Sequence, residues 1–228
     1  MLMENLSILS ASSDQAFARW IGRLYRHRKF YIIFRMKKVF IVGGTSGFGL
    51  SLAKKFDHEH EVTVCGRKKY PIFNGIVCDM LDISEDIFKE HNPDIIINNA
   101  FDKNDYIKSY QGSLNVLRSA FSFFKSKSEG AIINVNSICG LYPDLKDPDY
   151  AAAKYALRGY SDSISAEAFQ KNIKIINLYP RAMATGMNFG RPDFNELMDP
   201  DEIAEFVVMM TKCQSFYISS IQFDRIKR

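Results

Sequence analysis

Cysteine is scarce in this 228-residue chain: Cys65, Cys78, Cys139 and Cys213 are its four, and none stands in a CxxC pair or beside histidines at zinc-binding spacing. That pattern excludes a disulfide framework and a zinc module, and it offers no metal site of any kind. Free thiols suit a reducing compartment, so a cytoplasmic location is expected. Cys65 and Cys78 fall in apolar, strand-like runs and read as buried structural thiols. Also missing is any run of about 20 apolar residues, which a membrane-spanning helix would need. With 46% hydrophobic and 25% charged residues, a soluble globular chain with no membrane span is expected. Strong charge is absent from the body of the chain. Residues 1–35 hold six of the 30 basic and two of the 26 acidic residues, leaving 24 of each sign beyond them. A neutral body gives no reason to expect nucleic acid or an anionic membrane as partner. There is no internal repeat and no low-complexity tract.

What is present begins with a divided chain. "LSILSASSDQ" is too short and polar for a signal-peptide core, and "FARWIGRLYRHRKFYIIFR" is basic and aromatic. The latter could be a transit-like or membrane-surface helix, or an appendage ahead of a start at Met36. We therefore divide the sequence into an N-terminal extension, 1–35, and one domain, 36–228.

From Lys37 onward, short apolar runs alternate with amphipathic stretches. Strands are predicted at 38–42, 61–65, 75–78, 94–98, 131–136, 173–179 and 216–223. Helices are predicted near 48–57, 84–90, 104–127, 150–171 and 200–212. Continuous rather than alternating apolar strands require a sheet covered on both faces, and strand–helix alternation makes its strands parallel. The fold class is α/β, a doubly wound, Rossmann-like parallel sheet in a single domain.

Three short stretches carry chemistry. "VGGTSGFG" fits GxxxGxG at Gly43, Gly47 and Gly49, after a strand and at the start of a helix. Glycines there permit a tight turn and let the backbone approach a pyrophosphate at the helix N-terminus. A Gly-rich turn without a ligand is the alternative. The second strand ends in "CGRKK": Arg67, Lys68 and Lys69, with no carboxylate to bond the ribose 2′-hydroxyl of NAD, so charge matching favours NADP(H) over NAD(H), a merely solvated basic turn being the alternative. In "DYAAAKYALRGY", Tyr150 and Lys154 lie four residues apart on one helical face, where a cation would lower the phenol's pKa towards working pH; a surface helix whose tyrosine packs and whose lysine points at water is the alternative.

Together these stretches resemble the short-chain dehydrogenase/reductase family, over essentially all of residues 37–223. In addition to the glycines, Asp79 in "CDMLD" resembles the family's adenine-contacting aspartate, and "NNA" is Asn98, Asn99 and Ala100. Ser137 stands at the catalytic serine's place, 13 residues before Tyr150. The resemblance implies a sheet order of 3-2-1-4-5-6-7 and an NADP(H)-dependent oxidoreductase that interconverts a carbonyl and a secondary alcohol. In that scheme Ser137 holds the carbonyl oxygen, Tyr150 delivers the proton, and Lys154 keeps the phenol acidic and bonds the nicotinamide ribose. Cofactor contacts are implied for Thr45, Ser46, Phe48, Arg67, Met80, Asn99, Ala100, Pro180, Met183 and Thr185 as well. A homodimer or homotetramer built on the two long helices is also implied. Ser109 aligns with an asparagine that often completes a proton relay, Phe101 stands where glycine is usual, and Arg181 follows Pro180 in place of glycine. A non-catalytic dinucleotide sensor and a nucleotide-sugar enzyme are the alternative functions.

The substrate end is short. Thirteen residues separate Thr185 from "DPDEIAEF", so an open pocket is expected. Arg181 and Arg191 could recognise an acidic or phosphorylated substrate, or they could make ordinary surface ion pairs.

Overall fold

The computed structural model describes residues 36–144, 146–213 and 215–226; the readings of 1–35 as an extension, a transit-like helix or an appendage lie outside the described residues. Seven parallel strands form one sheet in the order β3-β2-β1-β4-β5-β6-β7, as expected. They are β1 (Lys38–Val42), β2 (Glu61–Gly66), β3 (Asn74–Val77), β4 (Ile95–Asn98), β5 (Gly130–Val135), β6 (Ile173–Pro180) and β7 (Ser220–Phe223). Among the described residues five α-helices intervene: α1 (Gly47–Asp57), α2 (Glu85–His91), α3 (Tyr106–Lys127), α4 (Pro148–Gln170) and α5 (Pro200–Met210).

The two-fold period of the strands feeds two cores. Val39, Ile41, Val62, Val64, Ile95, Ile97, Ile133 and Leu178 point to one face, with Leu52 and Phe56 of α1 and Val207 of α5. Phe40, Val42, Ile96, Ile132 and Ile175 point to the other, under Phe88 of α2, Leu117 and Phe124 of α3 and Leu157 of α4. Every central strand is thus apolar on both sides, which is why its sequence shows a continuous run.

Helix starts follow local chemistry. The Asp105 carboxylate caps α3 by accepting from the Lys108 N–H, and Asp147 caps α4 by accepting from the Tyr150 N–H, with Pro148 in the first turn. Asp199 and Pro200 repeat the device at α5. The last strand is shorter than its aromatic sequence predicted. Only Ser220–Phe223 find partners, opposite Asn177–Pro180, and Phe216, 60% exposed, lies outside the sheet. Strand propensity without a neighbour to pair with does not make a strand.

Strand order reverses between β1 and β4, so the crevice of the sheet opens at their carboxyl ends. Val42, Gly66, Asn98, Val135 and Pro180 all end their strands there.

Candidate active site

One cavity of about 1240 Å³ runs across these carboxyl ends, from Arg67 and Asp79 on one side to Ser137, Tyr150 and Lys154 on the other. Of the residues singled out in the sequence, Gly43, Thr45, Ser46, Gly47, Phe48, Arg67, Asp79, Met80, Asn99, Ala100, Pro180, Met183 and Thr185 also line it. Gly49 and Ser109 do not.

The glycine-rich turn is built by close approach. Gly43 has φ +81°, and a Cβ there would stand 2.7 Å from the Ala100 Cα. A Cβ on Gly49 would run into the Gly43 carbonyl. Asn99 locks the same turn by donating its side-chain amide to that carbonyl at 2.9 Å. Helix α1 therefore begins flush against the end of β1. Its Ser46 cap makes no side-chain hydrogen bond and its first turn holds no acidic residue. Unpaired N–H groups at such an end favour an anion, so these residues fit a pyrophosphate.

At the far side of this turn the charges are already engaged. Arg67 donates to the Asp102 carboxylate at 2.7 Å, and Lys108 pairs with Asp79 at 2.8 Å. The hydrogen bond from Lys108 holds the Asp79 carboxyl below the usual carboxylate range. Neither Asp102 nor Lys108 was evident in the sequence, because each reaches its partner from a segment about 30 residues away in the chain. Lys68 and Lys69 are exposed along the same rim.

The other end assembles three elements. Ser137, the residue after β5 but one, is buried and its hydroxyl accepts from the Cys139 N–H at 3.2 Å. Tyr150 and Lys154 come from the first turns of α4. Burial pushes the Tyr150 phenol up to about 12, against a hydrogen bond with Ser137 that pulls it down. Burial also lowers the Lys154 ammonium to about 8. This corrects the expectation that the lysine would lower the tyrosine's pKa. The amine stands 5.8 Å from the centre of the Tyr150 ring and 4.5 Å from that of Phe101, and the aromatic surroundings penalise charge on both groups more than either helps the other.

Those surroundings are Phe101, 5.2 Å from Tyr150 edge to face, and Tyr106, 5.8 Å from it. Tyr106 donates its hydroxyl to Asp147 at 2.5 Å, so the aspartate that caps α4 also fixes an aromatic wall beside Tyr150. Tyr106 and Asp147 were not singled out as site residues; the Asp-Pro helix start was the available signal. Ser109 is turned away. Its buried hydroxyl accepts from the Asp102 N–H at 2.7 Å and donates to the Asp102 carbonyl at 2.9 Å. Nothing in that geometry supports a relay role. Asn115, one to two turns further on, bonds backbone carbonyls instead.

At the substrate end both arginines have carboxylate partners: Arg181 pairs with Asp224, and Arg191 with Asp193 at 2.9 Å. Their geometry is that of ordinary ion pairs. Cys65 and Cys78 behave as structural thiols, the first fully buried, both pushed up by burial. Among the described residues no cluster of metal-binding side chains occurs, and no helix is long and apolar enough to cross a membrane.

Comparison with known proteins is consistent with this arrangement. Residues 85–195 match the family model for short chain dehydrogenase. A 3-oxoacyl-(acyl-carrier-protein) reductase of Chlamydia muridarum is 24% identical, over 80% of this chain and 93% of its own length. Among solved structures, a short chain dehydrogenase from Burkholderia cenocepacia in complex with NADP superposes with a TM-score of 0.71 at 19% identity, covering 84% of this chain and 89% of that one. A 3-ketoacyl-(acyl-carrier-protein) reductase from Brucella melitensis complexed with NADH does so with 0.68 at 19% identity, covering 83% and 98%. With this sheet order, the glycine turn at the switch point and the serine, tyrosine and lysine gathered across the cavity from it, the chain is similar to the short-chain dehydrogenases over residues 85–195 and shares their fold.

Proposed function

We propose that this protein is an NADP(H)-dependent reductase or dehydrogenase that interconverts a carbonyl and a secondary alcohol. The observation that carries the reading is the meeting of Ser137, Tyr150 and Lys154 at one end of a cavity whose other wall is the glycine turn and the uncapped end of α1. The dinucleotide, when bound, supplies or takes the hydride. The pyrophosphate would be held by the backbone of Thr45 to Phe48, and the adenosine by Asp79 and Met80. Arg67, with Lys68 and Lys69 beside it, would meet the 2′-phosphate, which favours NADP(H).

The chain's own contribution is proton and charge management. Ser137 offers a hydroxyl to the carbonyl oxygen, and it lines the same end of the cavity as Tyr150. A phenol held at about 12 keeps its proton at neutral pH, the form that gives a proton to a developing alkoxide. Lys154, at about 8, remains mostly charged at pH 7 and sets the field in which that transfer occurs. The aromatic wall of Phe101 and Tyr106 excludes water from the pair.

The test is NADPH oxidation against β-keto thioesters, keto sugars and simple ketones, with Tyr150→Phe alongside. Turnover of one class is expected, with a loss of about 10²–10⁴ in the variant and NADPH affinity nearly unchanged. A variant that turns over at the parent rate would overturn the assignment of Tyr150. NADH bound as tightly as NADPH would remove the argument from Arg67.

A further inference from the structure

Lys154 is a cation short of acceptors. It is 6% exposed, and its ammonium has three protons to donate. Among the described residues it donates one, to the Val135 carbonyl at 3.2 Å. Its Nζ stands over the face of the Phe101 ring, 4.5 Å from its centre, and both residues line the cavity. A ring face is a fair substitute for an acceptor, but it is the kind of partner that a hydroxyl oxygen replaces.

The segment carrying Phe101 is fixed in place just beyond it. Both backbone groups of Asp102 are bonded to the buried hydroxyl of Ser109, and its carboxylate is held by Arg67. On the near side, Ala100 packs against Gly43. With the backbone pinned on both sides, the ring has one ready freedom, rotation about its own side-chain bonds, and it lines a cavity with room for it.

We propose that Phe101 is a displaceable cap on the Lys154 ammonium, a positioning residue that sets how fast and how tightly the dinucleotide binds. The proposal rests on the dinucleotide reading of the site and goes beyond it. Lys154 becomes available to a ligand hydroxyl only while the ring is turned away, so the apparent affinity is reduced by the fraction of time the cap is open. A glycine in this position could not act in this way. Ser109, which failed as a relay residue, acquires a role here: it holds the backbone from which the ring reaches the amine.

The experiment compares the full-length parent with Phe101→Ala and Phe101→Leu, following NADPH binding by its fluorescence at equilibrium and in stopped flow. A cap closed about nine-tenths of the time predicts a Kd about tenfold lower and a faster association rate for Phe101→Ala. Phe101→Leu, which retains apolar cover without a π face, should fall between it and the parent. Adenosine 2′,5′-bisphosphate, which carries no nicotinamide ribose, should bind all three proteins alike. Unchanged or weaker NADPH binding in the variants would overturn the cap. So would a gain for the adenosine fragment equal to that for NADPH, since the effect would then act through Asp102 and Arg67. If Phe101→Ala does not fold, as judged by circular dichroism, Phe101→Leu decides. Should the parent bind no dinucleotide at all, the functional reading fails first, and that outcome is distinct from a parent that binds and a variant that does not differ.

Discussion

At Lys154 the role proposed for a single side chain is set against stability. Its folded pKa of about 8 lies below the ordinary 10.5, so burial disfavours its charged form. Between those two values the unfolded chain binds more protons than the folded one, and the parent should therefore gain stability as pH rises from about 8 to 10.5. Below 8 the full penalty applies, about 3 kcal/mol. Removing the charge also loses the contact with Phe101 and the bond to Val135, about 1 kcal/mol each. Lys154→Met should accordingly raise the Tm of the ligand-free protein by about 2–4 °C at pH 7, and the advantage should vanish by about pH 10. Differential scanning calorimetry across that range measures it. A lower Tm at pH 7 would mean that the ammonium is better satisfied than its surroundings indicate. The positions of Ser137, Tyr150 and Lys154 were legible because short intervals along the chain carry them. Their charge states were not, because Phe101 arrives from the end of another strand and Tyr106 from another helix.

Elements were legible where local chemistry and burial agree. Apolar runs marked β1 and β4 to within a residue, and the amphipathic stretches marked the starts of α4 and α5 to within two. The end of the sheet was over-read because aromatic content raises strand propensity whether or not a partner is present. Asn115 has a plain structural task. From the middle of α3 its amide stands 3.1, 3.0 and 2.7 Å from the carbonyls of Met80, Leu81 and Ile83. It thereby ties to the helix the turn that bears Asp79. Asn115→Ala leaves those carbonyls short of a donor and should cost about 1–3 kcal/mol. Because Met80 and Asp79 line the adenosine end, NADPH affinity should weaken as well, with turnover at saturation unaffected. Urea unfolding and fluorescence titration give the two quantities. Unaltered stability would show that water serves those carbonyls equally well.

On the scale of the whole molecule, residues 38–223 supply a seven-stranded sheet, a core on each of its faces and the cavity that holds the glycine turn, Ser137, Tyr150 and Lys154. The sheet order was legible through family resemblance, since nothing in a strand's own sequence names its neighbour. A chain beginning at Met36 should therefore fold and bind NADPH with a Kd within about twofold of the full-length protein. The long helices add a second expectation. Ile107 and Tyr110 on α3 and Tyr155 and Phe169 on α4 are exposed, Ile107 by 72% and Phe169 by 70%. Pairing of two copies would cover such side chains, each adding about 1.5–3 kcal/mol if fully buried. The shortened chain should then run as a dimer or tetramer by light scattering at micromolar concentration. If it is a monomer that still binds NADPH, the helices are not the interface or residues 1–35 complete it. If it is insoluble or binds nothing, the extension belongs to the fold, and the boundary at Met36 is wrong.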